Sequence, residues 1–150
     1  MSSGTAVAAG LAIAAGLAGA VQAAVMGELG ERVGIVPALA FAVVVSLVCG
    51  LTVLLVWERS FSGVRQALHE PAWLWLGGVM SVFIVFAITV GPPRIGVAAT
   101  IGIVIAGNLV GATVIDRYGL LGQAAIPIDR WRLLGLLLLA AGAALLLSRT

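Results

Sequence analysis

Five long apolar runs make up most of this chain: residues 7–27, 35–57, 72–91, 95–115 and 133–147, divided by charges and helix breakers. At about 1.5 Å of rise per residue, each of the first four is long enough to cross roughly 30 Å of hydrocarbon. The fifth is shorter. Arg130, Trp131 and Arg132 before it and Arg149 after it ease the deficit, because an indole sits well at the interface and arginine can snorkel to headgroups. A closed barrel would show short alternating segments, and there are none. The pattern predicts an all-α integral membrane protein, a single domain of five transmembrane helices. The first run has small residues that suit a cleavage site but lacks a positive flank before it, so it is expected to remain as a helix.

The connections fit this division. GPPRIG (91–96) places two prolines between runs three and four, where they remove donors and predict a tight turn. HEPAW (69–73) puts Pro71 in the first turn of the third helix, and PIDRW (127–131) offers Asp129 as an N-cap. The segments 58–70 and 116–132 are expected as polar loops, too short for an extramembrane domain.

Composition narrows the class further. The chain is 62% hydrophobic and only 9% charged over 150 residues, with a mean hydropathy of +1.21, too apolar for a soluble domain. All eight basic residues are arginines standing between the runs, with no basic tract for nucleic acid. Cys49 is alone in an apolar run, so it reads as packing. His69 has no ligand set around it, no metal or other cofactor is expected, and without a nucleophile-and-base arrangement an enzyme is not expected.

Small residues are arranged along the fourth run. Ala98, Gly102 and Ala106 recur every four residues, and Gly107 with Gly111 forms a second strip. Both predict close helix packing, within one bundle or also against a second subunit. Among polar residues inside the spans, Ser46, Thr52, Ser81, Thr89, Thr100 and Thr113 can bond back to their own helices. The two side-chain amides, Gln22 and Asn108, cannot face lipid, where an unpaired amide costs about 2–7 kcal/mol. Either they bridge helices, or they line a substrate cavity. Glu28 and Arg32 are one turn apart and can pair, while Asp116 and Arg117 follow the fourth run. Glu28, Asp116 and Arg94 are candidates for gating or coupling, against a plainer reading as solvated helix ends.

At these positions the chain resembles the YdcZ-like family, a five-helix, single-domain branch of the drug/metabolite transporter superfamily. The likeness runs in order through QAAVMGELGERVG (22–34), WLWLGGVMSVFIVF (73–86), GPPRIGVA (91–98), AGNLVGATVIDRYGLLG (106–122) and RLLGLLLLAAGAALLL (132–147). It implies a small bacterial inner-membrane protein, half of a ten-helix inverted-repeat transporter. Asn108 stands where the family usually has glutamine, and Val25-Met26 where an asparagine commonly follows Gln-Ala-Ala. Each change shortens or removes an amide, so ligand preference here is expected to differ.

With the N-terminus inside, Arg59, Arg65, Arg117, Arg130 and Arg132 lie inside and Arg32, Arg94 and Arg149 outside, a weak bias. A chain with an odd number of spans and so little bias can pair with an inverted copy, or with a related five-helix protein of opposite orientation. The expectation is a small-molecule transporter working by alternating access between two inverted protomers, with Gln22 and Asn108 in its cavity and its carboxylates favouring polar or cationic substrates. The other reading is a non-transporting subunit that packs with or regulates a partner membrane protein.

Overall fold

The computed structural model describes residues 3–127 and 129–147, and the described chain is helical. Among the described residues five helices are long and apolar enough to cross a membrane. Helix α1, Ser3–Val33, runs past the expected boundary at Gly27. The added segment carries Glu28 and Arg32, whose side chains meet at 2.6 Å one turn apart and favour continued helix. The helix therefore ends at the glycine beyond them: Gly34 takes φ 93°, ψ 153°, and α2, Ile35–Trp57, starts at the next residue. At about 1.5 Å per residue α1 is roughly 46 Å long, so part of it extends beyond the hydrocarbon.

The segment 58–70 is not simply a loop. It contains helix α3, Ser62–His69, whose alternation of Val64, Ala67 and Leu68 with Arg65, Gln66 and His69 is helical in period. Pro71 stands one residue before the next helix rather than inside its first turn. A 3-10 turn at Ala72–Trp75 leads into α4, Leu76–Val90.

GPPRIG is also helical for one turn. Pro92 and Pro93 open α5, Pro92–Ile95, at positions whose missing N–H groups have no helical acceptor to lose. Gly96, at φ 81°, ψ 158°, then breaks the chain into α6, Val97–Tyr118. Helix α6 closes on Gly119 in the left-handed conformation, with its N–H bonded to the Ile115 carbonyl. Asp129 caps α7, Arg130–Leu147, by accepting the Arg132 N–H at 2.8 Å, which starts that helix three residues before the apolar run. Arg149, expected to flank the fifth span, lies outside the described residues.

Val25–Val90 form one compact unit, and the segments on either side of it form the other. In the first, α2 packs on α4. Gly30 of α1 lies so close to α4 that a Cβ there would stand 2.8 Å from the Thr89 methyl. In the second, α6 packs along α7 and the α5–α6 corner folds on itself, Thr100 filling the space where a Gly91 Cβ would be. Most large apolar side chains remain exposed, with Leu11, Ile13 and Leu17 each at 68%. Such a surface suits lipid or other membrane helices and not water.

Candidate functional site

Positions 102, 106, 109, 113 and 116 of α6 recur at helical spacing, so they share one face. That face meets α7: a Cβ on Gly102 would lie 3.1 Å from Leu146 and 3.9 Å from the Ala143 backbone. Toward the other end the contact between the two helices is less complete. Between them lies a cavity of about 240 Å³ walled by Leu109, Ala112, Thr113, Gly135, Leu136 and Leu139, with Asp116 and Arg132 also lining it. A second hollow, lined by Ile105 and Asn108, shares Leu109, Ala112 and Leu139 with the first. Together they make one apolar groove, polar at both ends, extending about 12 Å along α6 from Asn108 to Asp116.

At one end Arg132 donates from Nη1 to Asp116 Oδ2 at 2.9 Å, across sixteen residues of sequence. The pair answers two local electrostatic problems. A carboxylate in the last turn of α6 meets the negative end of that helix dipole, and arginines in the first turn of α7 meet a positive end. Joining them offsets both, and the Asp116 carbonyl further ties down the connection by accepting the Ile126 N–H at 2.7 Å.

At the other end Asn108 is exposed on the groove. No hydrogen bond satisfies its amide among the described residues. Of the hydroxyls expected to bond back, all but Ser46 do so among the described residues: Thr113 donates to the Leu109 carbonyl at 2.7 Å, and Thr52, Ser81, Thr89 and Thr100 likewise bond to their own helices. In this groove Asn108 is therefore the side chain with both donor and acceptor available to a visitor.

The remaining sequence candidates are dispersed. Gln22 is exposed on α1 and is not among the residues lining the groove. Glu28 is inside α1, paired to Arg32, and both are exposed. Arg94 is exposed in the single turn of α5. Because Glu28 and Asp116 each carry an arginine partner, neither presents the lone negative charge from which a preference for cations was expected. Of the small-residue strips, Gly102 and the half-buried Ala106 lie on the α7 side, whereas Ala98 is exposed. Gly107 and Gly111 lie about half a turn away, and a Cβ on either would meet nothing within 4 Å.

Arg132 was not among the sequence candidates. Its signal was present in the Asp129 cap, which sets Arg132 in the first turn of α7, but its reach to Asp116 depends on how α6 and α7 pack. Thr89 and Thr100 bond back to their helices as the sequence predicts and are also buried contact residues, against Gly30 and Gly91.

Five membrane-length helices, lipid-suited outer faces and a polar-ended groove define a multi-pass integral membrane protein. Residues 7–145 match the family described as "Putative inner membrane exporter, YdcZ". The chain belongs to this family, and its place is the inner membrane. No curated protein and no solved structure matches it.

Proposed function

We propose that the protein exports small polar molecules by alternating access, two protomers of opposite orientation forming a ten-helix unit with the pathway between them. The observation that carries this reading is the Asn108 amide, unpartnered at one end of an apolar groove whose other end is spanned by the Asp116–Arg132 pair. An amide in that setting needs a partner from outside its own helix pair, and a translocated solute supplies one. The Asp116–Arg132 pair serves as a latch, two charges that separate or re-pair as α6 and α7 shift.

A non-transporting subunit would bury Gln22 and Asn108, both exposed in the single chain, in dry contacts with a partner helix, whereas a transporter keeps them wet in the assembled protein. Mixed contacts from an inverted second copy would bring Gln22 and Glu28 of one protomer toward the Asn108 and Asp116 of the other. The Gly107–Gly111 strip, open on the side away from α7, is the surface on which that copy is seated.

The test is efflux from liposomes holding the purified protein, across cationic, neutral and anionic metabolites. Asn108→Leu should lower the transport of the responding solute roughly two- to tenfold, the size of one hydrogen bond, while the protein stays folded. Transport unaffected by this change removes Asn108 from the pathway. Transport seen only after adding a second five-helix protein assigns the chain to a heterodimer.

A further inference from the structure

We propose that the polar face of α3 is a binding site for the phosphate of an anionic phospholipid, which anchors the connection between the second and third spans to the membrane surface. The inference is independent of the transport reading and rests only on the membrane spans. Helix α3 lies between α2, ending at Trp57, and the span beginning at Ala72, so short connections hold it at the membrane face.

Its two faces are separated by helical spacing. Phe61, Val64 and Leu68, three and four residues apart, form an apolar side and are exposed at 53%, 43% and 62%. Ser62, Arg65, Gln66 and His69 form the other side by the same spacing. A helix of this kind lies in the interface plane with its apolar side in the acyl boundary and its basic side among the headgroups.

On that polar side is an open hollow of about 540 Å³ lined by Ser60, Ser62, Arg65, Gln66 and His69 and edged by Phe61, where the two sides meet, without a carboxylate in its lining. The Arg65, Gln66 and His69 side chains make no hydrogen bond or ion pair among the described residues. Ser60 and Ser62 are already oriented: the Ser62 N–H donates to Ser60 Oγ at 3.1 Å, and the two hydroxyls lie 3.0 Å apart. Glu58 does not line the hollow; its Oε2 stands 3.3 Å from where a Gly63 Cβ would be, near the positive end of the short helix. A lining rich in donors, with a guanidinium free for bidentate contact, fits a phosphate oxygen pair. A lipid phosphate is favoured over a free one because the exposed apolar side of the same helix needs acyl chains beneath it.

Native mass spectrometry of the full-length protein, titrated with phosphatidylglycerol or phosphatidylcholine, tests this. The expected result is preferential retention of phosphatidylglycerol, falling about fivefold in Arg65→Gln, as for loss of one basic residue at an anionic surface, and partly restored in Arg65→Lys. Binding of phosphatidylcholine should not change. The unaltered protein offers a second measurement: photoactivatable phosphatidylglycerol in liposomes should label the 60–69 segment. Equal retention of both lipids, an unchanged preference in Arg65→Gln, or labelling confined to other segments overturns the proposal. Displacement of the lipid by millimolar inorganic phosphate overturns it too, in favour of a soluble anion.

Discussion

At the residue scale, the approach of Gly30 to Thr89 leaves no room for a side chain. Gly30 leaves room for the buried Thr89, whose hydroxyl is held by the Val85 carbonyl and whose methyl cannot readily turn away. Adding a single methyl group forces helix α1 away from α4. Gly30→Ala is expected to destabilise the protein by about 1–3 kcal/mol, seen as an earlier thermal transition in detergent. Gly50→Ala in α2 is the contrast, since its added Cβ meets open space and helix propensity favours alanine over glycine. Its melting temperature should stay level or rise. Equal losses in both variants would mean that close contact at Gly30 is not what the glycine is for. The threonines themselves were legible from sequence as self-bonded hydroxyls; that a glycine opposes one was not, because Gly30 and Thr89 are far apart in sequence.

The element scale turns on the join of α6 and α7. Asp116 and Arg132 are 30% and 42% exposed, so their pair is worth about 1 kcal/mol or less in stability, but its geometry fixes how the two helix ends meet. Asp116→Arg and Arg132→Asp should each impair transport, and the double exchange should recover a substantial part of it, whereas melting temperatures change little. Recovery absent from the double exchange would show that the two charges act separately. A single Asp116→Asn change should lower transport without loss of folded protein. The helices themselves were readable from apolar runs and caps, Asp129 most clearly. The apolar pattern misses the boundaries where charged residues continue a helix, as at Glu28–Arg32, and the amphipathic α3, which is too short to span.

For the whole molecule, the proposed inverted pair makes the orientation of each chain measurable. Reporters fused to the C-terminus should give signal on both sides of the membrane, and adding two or three arginines beside Arg94 should shift the ratio, since charges in short loops set orientation. A ratio that stays fixed contradicts weak bias. Gly111→Leu should reduce the dimer fraction in crosslinking while leaving the monomer's melting transition in place, because this strip is open on the side away from α7. A lower melting transition with an unchanged dimer fraction would place the strip inside the chain's own packing.

The order of apolar runs and breakers was sufficient to determine five membrane helices, because a backbone in hydrocarbon has to satisfy its hydrogen bonds along its own segment and so writes each span into contiguous sequence. Caps and glycine breaks are equally local. The partners of Asp116 and Gly30, the separation of Gly102 from Gly107 on opposite sides of α6, and the groove that leaves Asn108 without a partner were decided by tertiary packing. Lipid is as apolar as the helices it surrounds, so hydropathy marks what enters the membrane and carries little information about which helix meets which.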